Sequence, residues 1–121
     1  MFDLIIDKYE SFPDSLISSV SYERSNENDG KVDIIISCMN GYNNDEFETI
    51  KLSFVGVFKF RFIENHPFSS LIINKALLIN DKAGITFDFF PDIYKDGLKE
   101  NLESDFIIKC TNVFFEVIDN E

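Results

Sequence analysis

Apolar and polar positions along this chain alternate with a period of two in segment after segment, the pattern that sends successive side chains to opposite faces of a sheet. The clearest case is LSFVGVFKFRF, where Leu52, Phe54, Phe58, Phe60 and Phe62 fall on one side and Ser53, Val55, Val57, Lys59 and Arg61 on the other. The phenylalanine stripe predicts core positions facing a second sheet, and on that basis Phe58→Ala costs about 3 to 5 kcal/mol. The alternation runs from Phe47 to Ile63, too long for an ordinary strand. Gly56 in its middle predicts a bulge or a bend, by which the strand serves two sheets or curls around a barrel.

The same periodicity predicts further strands. Leu4 to Ile6 reads as a short edge strand before the breaker SFPDS. Leu16 to Arg24 places Leu16, Val20 and Tyr22 on one face, and Lys31 to Met39 turns Val32, Ile34, Ile36 and Cys38 inward. Between these two, SNENDG is a hairpin loop ending on Asp29-Gly30. NGYNNDE is a second loop. Leu71 to Ile79 and Ile85 to Phe90 form another hairpin around the turn formers Asn80, Asp81 and Gly84. Asp96 to Ser104, with Leu98 and Leu102 at i, i+4 spacing, is the one helix candidate. In the last segment Phe106, Ile108 and Cys110 alternate, and the dense run Val113 to Ile118 predicts a strand buried on both faces or bulged around Thr111 and Asn112. The pattern as a whole predicts one mainly β domain over residues 1–121, an antiparallel sandwich or partly open barrel of about seven strands with at most one short helix.

Composition adds that 121 residues suffice for a real core, about two thirds of the unfolded surface being buried at this size. With 14 phenylalanines and no tryptophan, that core is expected to be phenylalanine-rich. Cys38 and Cys110 lie in apolar runs far apart and read as buried reduced thiols. The opening MFDLIIDKYE has too short an apolar patch for a signal peptide, and no run approaches the ~20 residues of a membrane helix. A cytoplasmic protein with no membrane association is expected. The 22 acidic residues against 11 basic ones give a formal charge of −11, which repels a phosphate backbone and suits a basic protein partner, so nucleic acid is not an expected ligand.

Candidate chemistry is sparse. His66 is the only histidine, so no Cys–His pair or serine triad assembles without it, and one histidine with two distant cysteines lacks zinc spacing. The five glycines are scattered singly and form no phosphate-cradling loop. The chain therefore reads as a non-enzyme without cofactor or metal. Tyrosine beside carboxylates is instead good interface material, the ring supplying area and the acids steering a basic partner. Two such groups stand out: Glu23, Glu27 and Asp29 at the first hairpin with Tyr42, Asp45, Glu46 and Glu48 in the following loop, and Asp92, Tyr94 and Asp96 near the helix candidate.

The order PDSLISSVSYER, a strand, IKLSFVGVFKFRF and an apolar hairpin resembles the small β-rich immunity proteins of bacterial polymorphic toxin systems, in particular the Imm50-like group. There an HDS-type or HDA-type opening precedes the second strand, and an L-x-F-x-G-V segment marks a central strand. Leu52, Phe54, Gly56 and Val57 match the latter; Asp14 and Ser15 match the end of the former, with Pro13 in place of its histidine. The resemblance implies a cytoplasmic protein that neutralises a cognate toxin by binding without catalysis, and the acidic balance fits a basic nuclease-type toxin. Two alternatives stay open. One is a module binding a small ligand or carbohydrate in a phenylalanine-lined pocket. The other is a structural accessory protein that forms a homodimer through an edge strand.

Overall fold

In the computed structural model, which describes residues 1–25, 29–64 and 71–119, the chain runs α1 (Phe2–Tyr9), β1 (Ser15–Arg24), β2 (Gly30–Asn40), a single 3-10 turn (Gly41–Asn43), β3 (Glu46–Val55), β4 (Lys59–Phe62), β5 (Leu71–Ile73), β6 (Leu77–Asp81), β7 (Gly84–Asp88), β8 (Asp92–Tyr94), β9 (Gly97–Lys99), β10 (Phe106–Cys110) and β11 (Asn112–Asp119). A five-stranded sheet in the order β11-β3-β2-β1-β5 faces a four-stranded sheet in the order β4-β10-β7-β6, and β8-β9 is a separate hairpin. Every pairing is antiparallel. Neither large sheet closes on itself, so the fold is a β-sandwich rather than a closed barrel. Among the described residues there are eleven strands where about seven are expected: three long apolar segments each divide between the two sheets, β8 and β9 are additional, and the first expected strand is the helix α1.

These divisions are corners. The run expected as one strand from Phe47 to Ile63 is β3 in one sheet and β4 in the other, and the break falls at Gly56 with φ +64. Thr111, the corner between β10 and β11, lies against it: its N–H and its hydroxyl both donate to the Val55 carbonyl at 3.2 Å. A Cβ at Gly56 would overlap the Thr111 hydroxyl, so this position needs glycine for space as well as for φ. The third corner, at residues 74–76, is stitched to the segment after α1 by Ala76 N–H to Ser11 O at 2.6 Å and Asp14 N–H to Asn74 O at 3.1 Å.

The core lies between the sheets. Ile34, Ile36, Ile50, Leu52 and Phe54 meet Phe87, Phe106 and Ile108, with Phe87 in ring contact with Phe2, Phe12, Phe54 and Phe89. Val32, Ile34, Ile36 and Cys38 all face inward as their alternation demands, and both cysteines are buried and free. Burial raises the Cys38 thiol to about 12 and the Cys110 thiol to about 11.

Several sequence expectations are corrected. Phe58 is 55% exposed, because turning the corner at Gly56 ends the β3 alternation; Phe60 and Phe62 are half-buried and only Phe54 is fully in the core. Residues 2–9 form a helix, not an edge strand: Phe2, Ile5, Ile6 and Tyr9 sit at i, i+3, i+4, i+7 and pack on the core. The helix candidate at 96–104 is instead the hairpin strand β9 followed by a turn. In β1 a bulge between Ile17 and Ser19 flips the pattern, so Ser15 and Ile17 face inward before it and Val20 after it, while Leu16 is exposed. In β11 only Val113 is fully buried, because an edge strand leaves Phe114 and Ile118 on the open face.

The outer face of the second sheet is covered by the chain that follows β9. Asp88, fully buried on that face, accepts from the N–H of Asn101 at 2.8 Å and of Phe90 at 3.1 Å, while Lys109 pairs with Glu100 at 3.1 Å. Those contacts hold the β8-β9 hairpin against the sandwich. Among the described residues, no helix is long and apolar enough to cross a membrane.

Candidate functional site

Tyr42 stands 62% exposed at the end of the five-stranded sheet, in the loop between β2 and β3. Its backbone is held from below. The Asn40 side-chain oxygen accepts the Tyr42 N–H at 2.8 Å, and the Asn40 carbonyl accepts the Asp45 N–H at 3.0 Å. Asn44 and Asp45 follow in the left-handed region, where short polar side chains are tolerated best. The result is a tight turn presenting Tyr42, Asp45 and Glu46 to solvent.

The loop rests on a buried polar cluster. Glu48, only 6% exposed, accepts from the Tyr9 hydroxyl at 2.5 Å and from Asn40 Nδ2 at 3.0 Å, and its Oε2 lies 3.7 Å from Lys8 Nζ. A buried carboxylate is tolerable because each oxygen finds a donor. Burial and then the Glu48 bond push the Tyr9 phenol well above its usual range; the Cys38 thiol, cross-strand to Glu48, is raised first by burial and then by that charge. Lys8 lies over the Phe115 ring at 5.1 Å and the Tyr9 ring at 5.4 Å, so its stem fills the end of the core while its charge answers Glu48. Asn40 thus joins the helix, the carboxylate and the exposed tyrosine in one rigid unit.

Beside the loop, Lys8, Tyr9, Glu10, Pro13, Met39, Gly41 and Asp45 line a recess of about 100 Å³. Glu10 and Asp45 bring two carboxylates to it and Lys8 one ammonium. The solvent ridge of α1 continues the acidic surface with Asp3 and Asp7, which are exposed at i, i+4 and lead on to Glu10. None of these three helix carboxylates was singled out in the sequence; the i, i+3, i+4, i+7 spacing of Phe2, Ile5, Ile6 and Tyr9 was the signal that places them together.

Other sequence candidates fall elsewhere. Glu48 is beneath the loop instead of on it, because its alternation parity in β3 points it inward. Glu23 and Asp29 are exposed at the opposite end of β2, about 33 Å away along eleven residues of strand. There Glu23 lies cross-strand to Lys31, Lys31 reaches Asp33 at 3.7 Å, and Asp29 accepts from the Ser25 hydroxyl at 2.5 Å. Asp29 thus has a local partner in Ser25. Glu27 and His66 lie outside the described residues. Asp92, Tyr94 and Asp96 are exposed on the β8-β9 hairpin, with Lys99 over the Tyr94 ring at 4.9 Å. Leu98 of that hairpin lines a second recess, of about 340 Å³, together with Ile6 of α1 and Glu10 just after it, which puts the hairpin beside the helix.

Of the phenylalanine stripe, Phe54 is in the core and Phe62 lines a small recess of about 120 Å³ at the β1 bulge. Among the described residues no cluster of histidine, cysteine and carboxylate side chains is arranged to hold a metal ion. No protein-family model, curated protein or solved structure matches the chain significantly.

Proposed function

We propose that the protein is a non-catalytic binding protein that neutralises a basic partner, in the manner of a cytoplasmic immunity protein holding a bacterial toxin domain. The observation that carries this is the Tyr42 loop: an exposed aromatic flanked by Asp45 and Glu46, held rigid by Asn40 and the buried Glu48 before any partner arrives. Preorganised aromatic anchors lose little entropy on binding, and surrounding carboxylates accelerate encounter with a cationic surface. The net charge of −11 and the carboxylates of α1 extend that field beyond the loop.

Capture on the tagged protein from native lysate at low salt, followed by a moderate-salt wash, supplies the test. A basic polypeptide released in stoichiometric amount, toxic alone and inactive when the two are mixed, is the expected result. Tyr42→Ala is expected to speed dissociation at least about ten-fold, as a central aromatic anchor does, and Asp45→Asn with Glu46→Gln to slow association at low salt without changing the fold. Association and dissociation rates unchanged in these variants would refute the loop as the binding surface.

A further inference from the structure

The open face of the five-stranded sheet changes character along its strands. Antiparallel sheets commonly leave one face to solvent and line it with polar residues. Toward Arg24 this face does so: Ser19, Ser21 and Ser53 share it with the ion pairs Lys31–Asp33 at 3.7 Å and Lys51–Glu116 at 3.4 Å, and with Phe114 on the edge strand. Toward the Tyr42 loop it turns apolar. Ile72 of β5 lies across from Leu16 of β1, Leu16 across from Ser37 of β2, and Met39 across from Phe47 of β3, one rung before the loop. Ile35 and Met39 are then the diagonal neighbours of Leu16 on β2, within side-chain reach.

Ile72 is 71%, Phe47 46% and Leu16 38% exposed, and with Tyr42 they offer on the order of 500 Å² of surface. A standard interface buries about 800 Å² per partner, a little over half of it apolar. The patch and the loop together therefore supply the apolar part of one stable contact. A contiguous apolar patch of this size with a polar border marks an interaction site, and a flat sheet face suits a protein surface better than a small molecule, whose sites are concave.

The border of the patch is acidic. Met39 shares a recess with Glu10 and Asp45, Glu46 immediately precedes Phe47, and the Asp14 N–H bonds to Asn74 O just beyond the Leu16–Ile72 rung. Of the cationic residues on these strands and on α1, Arg24 and Lys31 lie at the far end, Lys8 answers Glu48 and Lys51 pairs with Glu116. That leaves Lys75, in the corner after β5, against the carboxylates of Glu10, Asp14, Asp45 and Glu46. Two copies of a chain at −11 repel each other, and packing patch on patch adds their acidic borders, so a cationic partner is favoured over a second copy.

From the register, the exposed area and the charge at its border, we infer that the partner's contact extends from the Tyr42 loop onto Met39, Phe47, Leu16 and Ile72, and that the partner covers them with an apolar surface fringed by lysine or arginine. The inference rests on the proposal that the partner is a basic protein. It adds that apolar burial, and not charge alone, holds the two together.

A short end-blocked peptide with leucine along one helical face and lysine along the other tests the sheet face without the partner, by NMR titration of the full chain. Shift changes spreading from Tyr42 over Met39, Phe47, Leu16 and Ile72 are expected, with binding at low salt about ten-fold tighter than that of a leucine–glutamate peptide or of a lysine–serine peptide of equal charge. Ile72→Ser with Phe47→Ser, both at exposed positions, should weaken binding at least about ten-fold with an unchanged urea midpoint. If that variant fails to fold, Ile72→Thr takes its place and should weaken binding a few-fold. Shifts confined to Tyr42, Asp45 and Glu46 or centred away from this face, equal binding of either control peptide, or self-association of the chain that Ile72→Ser abolishes would each overturn the inference. A basic polypeptide captured through Tyr42 whose dissociation ignores Ile72→Ser and Phe47→Ser refutes the patch alone. A capture that retains no basic polypeptide, while the leucine–lysine peptide still seats on the face, refutes the earlier proposal alone.

Discussion

Tyr9→Phe removes a single oxygen from the base of the Tyr42 loop. The ring stays, and with it the stack on Phe12 at 5.7 Å and the edge contact with Phe115 at 5.5 Å, so no cavity opens. What disappears is the hydroxyl's bond to Glu48, one of three groups answering a carboxylate that is 6% exposed. A hydrogen bond to a charged, buried group contributes about 1.5 to 3 kcal/mol, and the burial of this one places the expectation in the upper half of that range. For a urea m-value of about 1 to 3 kcal/mol/M, the unfolding midpoint falls by roughly 1 M. Because Asn40 serves both Glu48 and the Tyr42 N–H, amide exchange at Tyr42 and Asp45 should quicken in the same variant. A double-mutant cycle with Glu48→Gln isolates the pair and should return a coupling above about 1 kcal/mol. A stability change within about 0.5 kcal/mol, the range of an ordinary surface substitution, would show that Glu48 is hydrated and that the loop does not rest on the cluster.

The remaining predictions concern the core and pH. Phe87→Ala, which empties the centre of a five-ring cluster, should cost about 3 to 5 kcal/mol, whereas Phe58→Ala, half of whose surface is already in water, should cost about 1 kcal/mol; equal losses in urea unfolding would contradict the corner at Gly56. Stability should fall as pH rises above 9, because the unfolded thiols of Cys38 and Cys110 ionise near 9 while the folded ones hold their protons to about 12 and about 11, so the contribution they make below pH 9 is lost above it. Tyr9, likewise raised, adds to the decline above pH 10. Each group contributes up to about 1.4 kcal/mol per pH unit in its window, and Cys38→Ala should flatten the slope; a urea midpoint unchanged between pH 8 and pH 10.5 would refute it.

Much of the fold was legible because period two is written directly in β2, where Val32, Ile34, Ile36 and Cys38 face inward as read, and in β3 through Leu52 and Phe54. The misreadings cluster where a local pattern has two continuations. Beyond Gly56 the phenylalanines keep their spacing while the backbone leaves its sheet, so Phe58 matches the stripe and misses the core. One extra residue in β1 reverses the parity of Leu16 in the same way. α1 was hidden because eight residues with two acids between apolar ones fit a short strand nearly as well as two turns of helix, and only packing against Phe87 and Phe115 makes so short a helix stable.

The candidate site divides along the same line. Tyrosine and carboxylates in a turn-forming loop mark Tyr42, Asp45 and Glu46 from residue type alone, and the acidic excess that favours a basic partner is a sum over the chain. The alternation of β3 already pointed Glu48 inward with Ile50, Leu52 and Phe54, and the spacing of Phe2, Ile5, Ile6 and Tyr9 already put Asp3 and Asp7 on one ridge; tertiary structure alone decided that Glu48 meets Tyr9, Asn40 and Lys8 beneath the loop and that α1 packs beside it. Charge, periodicity and turn chemistry are local properties, readable residue by residue. Which faces meet, which acids become neighbours and which edge stays open depend on corners at Gly56, residues 74–76 and Thr111, where contacts between distant segments choose among backbone paths that local sequence leaves nearly equal in energy.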